Sequence, residues 1–238
     1  MRGSFPAILP PAAPPPRITI VVPTLDEEAT VSRWLPEALR HCDELVVSDG
    51  GSVDRTVEIA RQLGARVAVG PAGRGGQLNR GAAIAGGHVL VFLHADTRLP
   101  DGAADAIRRA VGAGAAGGAF RVRFDDPGRV FRFGAALANL RARVTRVPLG
   151  DHAQFATRDA FERIGGFAEW PILEDVDLMR RLRRAGRVVV LDLEVTTSAR
   201  RFRADGPLRT VLRNWLIWLL FAVGVPPRRL ARLYRDIR

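Results

Sequence analysis

Short apolar runs recur along the first hundred residues, and each is followed by a polar turn and then by a helical pattern. The runs cover residues 17–23, 44–47, 66–70 and 89–93. The last of them, VLVFL, is unbroken, which is typical of a strand that is covered on both faces in a parallel sheet. Strands that alternate with helices of this length predict an α/β fold, with a right-handed, mostly parallel central sheet flanked by helices.

The second half of the chain predicts helices, shorter strands and a long apolar helix. The predicted helices cover residues 101–112, 127–146, 159–164, a stretch from about residue 170 to 185, and 207–225. The predicted strands cover residues 117–124, 153–156, 187–193 and 194–197. Gly186 directly follows the fourth of these helices, where a C-terminal stop is expected.

Proline content and apolar content divide the chain into three parts. Residues 1–16 are rich in proline, which prevents a helix and interrupts the apolar segment that a secretory signal needs. They predict a disordered, proline-rich tail. Residues 17–204 predict the main domain, and residues 205–238 predict amphipathic or apolar C-terminal helices.

The apolar helix near the C-terminus is too short to span a bilayer of roughly 30 Å. Residues 215–223 carry no charge, and arginines flank them on both sides. Two interpretations stay open. Either the helix packs onto the domain, or residues 207–232 contact an anionic membrane surface peripherally.

The chain is strongly basic, with 36 Lys+Arg against 25 Asp+Glu and a formal charge of +11. The positive charge is carried by arginine, which suits bidentate binding of phosphate. Such a balance fits anionic small molecules, nucleic acid or a membrane surface. Cys42 is the only cysteine, so no intrachain disulfide can form. We expect a cytoplasmic protein, with a place at the inner face of the membrane as the further possibility.

Candidate metal chemistry begins where the 89–93 run ends, in His94-Ala95-Asp96. In an extended segment, residues two apart point to the same side. An imidazole and a carboxylate together can hold Mn²⁺, or Mg²⁺ with more waters. The alternative is that Asp96 begins a turn and His94 caps the strand.

Two further strand ends carry acids. Thr24 and Glu27 have the spacing of a capping box, which favours the start of a helix. Asp26 or Glu27 is also a candidate to meet a ligand, and both interpretations can hold at once. Asp49 precedes two glycines, which lets the backbone approach a ligand and suits recognition of a base NH or a ribose hydroxyl. Arg74 lies in a glycine-rich loop that lacks the lysine of an ATP-binding P-loop.

Three later motifs each allow a functional and a structural interpretation. Glu174 and Asp175 begin a helix, where acids complement the helix dipole or where Asp175 acts as a general base if burial raises its pKa. The basic segment 198–203 either binds a diphosphate or is a solvent-exposed cluster of arginines. Asp151 and His152 face an acceptor or hydrogen-bond to backbone.

Four stretches in this order resemble family 2 glycosyltransferases of the GT-A fold, a Rossmann-like fold. They are IVVPTLDEE, VVSDGGSVDRT, GQLNRGAAIAGGHVLVFLHAD and ILEDVDLMRRLRRAG. The resemblance runs from about residue 17 to residue 186. It implies a nucleoside-diphosphate sugar, most simply a UDP-sugar, a hydroxyl-bearing acceptor, a divalent metal and no nucleic acid as partner.

The resemblance also implies roles for individual residues. Asp175, with Glu174, is implied as the catalytic base, and Asp96 as the metal ligand. The residues implied around the nucleotide sugar are Pro23, Thr24, Glu27, Asp49, Arg74, Asn79, His94, Arg200 and Arg201. Asp151 and His152 are expected on the acceptor side.

The chain departs from the family pattern at three positions. Asp26 replaces the commoner Asn, Gly50 replaces a frequent second Asp, and His94 replaces the first Asp of Asp-x-Asp. The variant HADTRLP, with GDHAQF and TSARRF, is similar to a bacterial subgroup described as arsenosugar-biosynthesis and diaponeurosporenoate glycosyltransferases.

The predicted reaction is therefore an inverting transfer of a sugar to a hydroxyl of a small-molecule or lipid-like acceptor. Two other classes compete with it. A nucleotidyltransferase would use a similar sheet, but the acidic segment 24–28 repels a triphosphate. A non-catalytic basic protein that binds membrane or nucleic acid would leave the acids at the strand ends unexplained.

Overall fold

A computed structural model describes residues 14–200, 203 and 206–233. The side chains of Pro207 and Leu208 are not among the parts described. Most of the predicted proline-rich tail and Arg201 lie outside the described residues.

The core of the fold is a sheet of eight strands in the order β3-β2-β1-β4-β7-β6-β8-β5. The strands are β1 (Ile18–Thr24), β2 (Glu44–Asp49), β3 (Arg66–Val69), β4 (Val89–Phe92), β5 (Thr97–Arg98), β6 (Gly117–Phe124), β7 (Gln154–Thr157) and β8 (Val188–Thr197). The first four strands of this order are mutually parallel, as the sequence predicts. β7 runs antiparallel to β4 and β6, and β5 runs antiparallel to β8, so the second half of the sheet is mixed.

Helices cover the sheet on both faces. They are α1 (Glu28–Ala38), α2 (Thr56–Gln62), α3 (Arg74–Ile84), α4 (Ala103–Gly112), α5 (Arg129–Thr145), α6 (Arg158–Arg163), α7 (Glu174–Ala185), α8 (Pro207–Ala222) and α9 (Pro227–Leu230). Short 3₁₀ turns lie at Leu39–His41, Gly150–His152 and Ala231–Leu233. The bounds of α4 to α8 fall within about four residues of the helices predicted for the second half of the chain.

Buried side chains alternate along the strands and form one core on each side of the sheet. Ile20 and Val22 of β1 pack with α1, α2 and α4, whereas Val21 packs with α3, α6 and α7. Burial on both faces explains why the parallel strands are continuous apolar runs.

The prediction of two short strands at 187–193 and 194–197 is wrong, because β8 is a single strand with an irregular register. Phe120 of β6 pairs with Leu191, whereas the next residue, Arg121, pairs with Glu194. The intervening residues bulge out, which lets the strand continue past the polar Asp192.

The apolar helix α8 packs onto the domain through one face and leaves another exposed. Ile217 is buried with Ile172 and Leu230, whereas Leu212, Leu216 and Leu219 are 62%, 49% and 55% exposed. Within the described part of the chain, every helix is too short or too polar to cross a membrane.

Candidate functional site

The candidate site lies where the parallel strands end. Thr24 and Asp49 are register partners at the ends of β1 and β2, and His94 follows β4. Ligand sites of open α/β sheets lie at this edge, outside the carboxyl ends of the strands.

Asp49 holds the turn that follows β2. Its buried carboxylate accepts hydrogen bonds from Thr24 Oγ1 (2.9 Å), Gly51 N (2.9 Å), Ser52 N (2.8 Å) and Ser52 Oγ (2.5 Å). Burial alone would raise the pKa of Asp49, but these hydrogen bonds lower it below its usual value. The carboxylate is therefore ionised, and its hydrogen bonds fix the conformation of the turn at Gly51 and Ser52. Its contact with a nucleotide base stays a prediction.

Thr24 and Glu27 do not form the predicted capping box. Thr24 donates to Asp49, and Glu27 accepts from Thr30 Oγ1 at 2.5 Å without capping α1. Glu27 also lies 3.5 Å from Arg200 Nη2, so the strand-end acid meets the basic segment 173 residues later.

Asp26 adopts a left-handed backbone conformation, with φ of 51°. Asn and Asp tolerate this region better than most residues, which accounts for an Asp where the family has Asn. The Asp26 amide donates to Ser52 Oγ (2.8 Å), and its Oδ1 accepts from Val53 N (2.9 Å). These bonds lock the loops after β1 and β2 together.

Gln77 is a buried residue whose role the sequence analysis missed. Its Nε2 donates to the carbonyls of Thr24 (2.8 Å) and Ser48 (3.0 Å), and its Oε1 accepts from Gly73 N (3.1 Å). A Cβ at Gly50 would lie 3.1 Å from this Nε2. The Gly50 departure from the family pattern therefore makes room for Gln77.

Replacing Gln77 with alanine should destabilise the fold by about 2–4 kcal/mol, because buried backbone groups lose their partners. The free energy of unfolding in urea measures this. Gln62→Ala is the matched control, since Gln62 is exposed at the end of α2 and bonds only to Glu58 among the described contacts. Equal stability of the two variants would contradict the assigned role.

Asn79 connects α3 to the segment before α7. Its Nδ2 donates to Phe167 O (2.9 Å) and its Oδ1 accepts from Phe167 N (2.8 Å). Both ends of the amide are thus used within the protein, and the predicted place of Asn79 beside a nucleotide stays a prediction.

A cavity of about 180 Å³ brings together five of the sequence-predicted residues, which lie up to about a hundred residues apart along the chain. His94, Asp96, Arg74, Asp151 and Asp175 all line it. Pro23 reaches the same region through an adjoining small recess. Asp96 and Asp175 thus line one cavity, whereas Asp49 is buried beneath the neighbouring turn and does not line it.

A second cavity, of about 440 Å³, lies on the other side of Asp96. Its lining includes Arg33, Trp34, Arg98 and Arg200. The guanidinium groups of Arg33 and Arg98 lie 4.4 Å and 4.6 Å from the centre of the Trp34 ring. Sequence analysis missed these three residues because only the fold places α1 beside β5.

Asp175 is held at the first turn of α7 by backbone amides. Its Oδ2 accepts from Gly150 N (2.6 Å) and its Oδ1 from Val176 N (2.7 Å). Burial and the neighbouring charge of Glu174 raise the pKa of Asp175 to about 6, against the lowering effects of Arg74 and the two amides. A carboxylate with this pKa can accept a proton near neutral pH.

Glu174 is buried and pairs with Arg74. Arg74 Nε donates to Glu174 Oε1, which joins the first residues of α3 and α7. The pair holds the Arg74 guanidinium at the cavity wall beside Asp175.

Asp151 and His152 have different surroundings. His152 is completely buried, and its Nδ1 lies 2.9 Å from the carbonyl of Phe120. Burial lowers the pKa of His152, so the imidazole is neutral and donates to that carbonyl. Its Nε2 lies 3.8 Å from Asp151 Oδ1. Of the two residues, only Asp151 lines the cavity. His152 is buried behind Asp151 and does not face an acceptor.

Gly150 separates His94 from Asp175. A Cβ there would lie 2.8 Å from His94 Nε2 and 3.2 Å from Asp175 Oδ2. Gly150→Ala should therefore displace both side chains and lower the rate of the sugar transfer that the resemblance implies at least tenfold, a ΔΔG‡ of about 1.4 kcal/mol. Steady-state kinetics measures the effect, with Gly112→Ala as control because a methyl group at Gly112 would have nothing within 4 Å. Unchanged turnover in Gly150→Ala would show that this close approach is irrelevant.

Comparison with known proteins now identifies the family. The family model described as glycosyl transferase family 2 matches residues 19–168, more than half of the chain. The chain belongs to glycosyl transferase family 2. It is a glycosyltransferase with the GT-A fold, as the resemblance implied, and the nucleotidyltransferase and non-catalytic alternatives are rejected.

Solved structures with similar folds include the three that follow. Glucosyl-3-phosphoglycerate synthase from Mycobacterium tuberculosis, in complex with Mn²⁺, UDP and glucosyl-3-phosphoglycerate, is 25% identical, with a TM-score of 0.61 over 89% of this chain and 81% of that one. The mannosyltransferase PcManGT from Pyrobaculum calidifontis, in complex with GDP-Man and Mn²⁺, is 22% identical, with a TM-score of 0.65 over 95% and 70%. TarS 1-349 from S. aureus is 16% identical, with a TM-score of 0.61 over 91% and 69%.

Comparison with curated protein sequences gives no match. The family match ends at residue 168, before Glu174 and Asp175. In this glycosyltransferase, the place of α7 beside Asp96 thus rests on the fold and on the shared cavity.

Proposed function

We propose that this glycosyltransferase moves a sugar, with inversion, from a nucleoside-diphosphate sugar to a hydroxyl of its acceptor. The observation that carries the proposal is the shared cavity of Asp96, Arg74 and Asp175. In this cavity the carboxylate of Asp175 can accept a proton, and Arg74 and Asp96 can hold a diphosphate, Asp96 through a metal ion. The neighbours solved with UDP or GDP-Man support the donor class.

In the proposed reaction, Asp175 takes the proton of the acceptor hydroxyl. The acceptor oxygen forms a bond to the anomeric carbon as the bond from that carbon to the diphosphate oxygen breaks. The nucleoside diphosphate leaves with the electron pair. A single displacement of this kind inverts the anomeric centre and needs no protein nucleophile.

Positive charge near the leaving group stabilises the transition state. Arg74 lies in the catalytic cavity and Arg200 in the adjoining one. Arg201 is proposed to assist, although it lies outside the described residues. Glu174 keeps Arg74 in place through their ion pair.

The residues around Asp96 fit a divalent cation that is shared with a ligand. Among the residues that the structure describes, no group of three His, Cys, Asp or Glu side chains could enclose a metal by itself. Mg²⁺ is commonly held by one or two carboxylates together with substrate phosphates, and Mn²⁺ favours carboxylate and water ligands too. Asp96 would hold Mn²⁺ or Mg²⁺, with His94 beside it. The bound ion would supply Lewis-acid stabilisation of the leaving diphosphate.

A thermal-shift panel tests the donor class. A ligand that binds only the folded chain raises Tm by mass action. We expect one of UDP-glucose, UDP-GlcNAc and GDP-mannose to raise Tm in the presence of Mn²⁺. Of the two free diphosphates, UDP and GDP, the one contained in that sugar nucleotide should raise Tm more. If neither UDP nor GDP shifts Tm with or without Mn²⁺, the donor proposal fails. The resemblance to the arsenosugar and diaponeurosporenoate subgroup stays a prediction about the acceptor.

We also propose peripheral contact with an anionic membrane through residues 207–232, at the cytoplasmic face. The support is the exposed apolar face of α8, with the flanking arginines Arg209, Arg228 and Arg229 also exposed. Cosedimentation with vesicles should rise with the fraction of anionic lipid and fall with salt. Equal binding to purely zwitterionic vesicles at all salt concentrations would contradict it.

A further inference from the structure

A groove between α5 and α8 adjoins the catalytic cavity. Gly134, Ala138 and Arg141 line it from α5, and Val211, Trp215 and Trp218 line it from α8. It encloses about 90 Å³. This exceeds the roughly 10–15 Å³ that a cavity needs to hold one water molecule.

The groove adjoins the catalytic cavity, and the two together make up what we call the path. They share five lining residues: Phe124, Leu149, Asp151, Asn214 and Trp218. At the outer end lies Trp215, which is 37% exposed and continues the exposed face formed by Leu212, Leu216 and Leu219. A molecule in this path would thus extend from Asp175 to the apolar surface of α8.

Three buried polar atoms along the path lack a hydrogen-bond partner in the described structure. They are Arg141 Nη2, Trp218 Nε1 and Asp151 Oδ1. Buried polar groups are normally paired, so their arrangement calls for a ligand with complementary groups. Two donors and one acceptor match hydroxyl groups, which both accept and donate.

The charge of the path favours a neutral ligand. The guanidinium of Arg141 is attracted by the carboxylates of both Asp151 and Asp175. At Arg141 one cation is thus set against two acids, so an anionic head group placed there would meet net repulsion. Phe124, Leu149 and Val211 add apolar walls, and Asn214 adds an uncharged amide.

We propose that the acceptor is an amphipathic alcohol, with a neutral hydroxylated head at Arg141, Asp151 and Trp218 and an apolar chain in the groove between α5 and α8. This inference rests on the proposed transfer to a hydroxyl. The head would present its hydroxyl to Asp175 while the chain points toward the exposed face of α8.

Binding to the full chain tests the inference without donor or metal. Isothermal titration calorimetry compares octyl β-glucoside, below its micelle concentration, with glucose and with octyl phosphate. We expect octyl β-glucoside to bind at least tenfold more tightly than either. Tighter binding of octyl phosphate would overturn the neutral head, and equal binding of glucose would overturn the role of the chain.

Two variants locate the ligand. Ala138→Phe fills the groove and should lower the affinity for octyl β-glucoside at least tenfold, whereas Ala136→Phe, on the exposed side of the same helix, should not. Equal affinity in both would assign the binding to the outer surface and overturn the proposal. Trp218→Phe removes the indole N–H and should weaken binding of octyl β-glucoside several-fold. It serves as the test if Ala138→Phe does not fold.

The outcome separates the inference from the proposed function. Binding of octyl β-glucoside without any binding of UDP or GDP would leave the groove assigned and reject the donor. If UDP or GDP binds but octyl β-glucoside does not bind in the groove, the proposed donor is kept and the proposed acceptor site is rejected.

Discussion

Asp175→Asn should lower sugar transfer by about 10²–10⁴-fold, the usual contribution of a general base, while nucleotide affinity stays close to that of the wild type. The reason is that Asp175 meets the acceptor hydroxyl in the proposed reaction and not the nucleotide. Transfer rates with a saturating donor and calorimetry with UDP or GDP measure the two effects. Weak nucleotide binding in Asp175→Asn would show that Asp175 is structural.

Asp159→Asn is the matched control for this variant. Asp159 lies in the first turn of α6 on the exposed surface, so the substitution removes one acid without touching the cavity. It should transfer sugar at the wild-type rate. A similar loss in both variants would indicate a general effect of net charge.

The pH dependence of transfer follows from the environment of Asp175. Burial and Glu174 raise the pKa of Asp175 to about 6, while Arg74 and the amides of Gly150 and Val176 counteract them. The base must be ionised, so kcat/KM should fall about tenfold per pH unit below about pH 6 and level off above it. Glu174→Gln removes the neighbouring negative charge and should move this limb to lower pH. If the acidic limb of kcat/KM lies at the same pH in Glu174→Gln as in the wild type, its assignment to the ionisation of Asp175 is contradicted.

The sequence was sufficient to predict the parallel half of the sheet and the place of Asp49 and Asp96 at or just after the ends of its strands. Continuous apolar runs indicate buried parallel strands, and the carboxyl ends of such strands converge at one edge. These inferences need only local patterns and the rules of βαβ connection.

What the sequence did not reveal depends on contacts between distant segments. Gln77 bonds to backbone 53 and 29 residues away, and Arg74 pairs with Glu174 across 100 residues. The close approach of Gly150 to Asp175 spans 25 residues. No periodicity encodes such pairs. The expected capping box at Thr24 failed for the same reason, because Asp49 on the next strand competes for the Thr24 hydroxyl.

Asp96→Asn should be at least as damaging to transfer as Asp175→Asn. Cleavage of the glycosyl bond puts negative charge on the leaving diphosphate, and stabilising this charge contributes more than removing a proton from the acceptor. Unlike Asp175→Asn, this variant should also lose the part of UDP or GDP affinity that depends on Mn²⁺. Calorimetry with and without Mn²⁺ separates the two defects.

Asp101→Asn supplies the comparison for Asp96→Asn, since Asp101 is an exposed acid five residues further along the chain. We expect its Mn²⁺-dependent affinity for the nucleotide to match that of the wild type. The wild-type affinity decides the role of Asp96. If it is the same in Mn²⁺ and in EDTA, Asp96 does not act through a metal, and the diphosphate is held by the arginines of the two adjoining cavities alone.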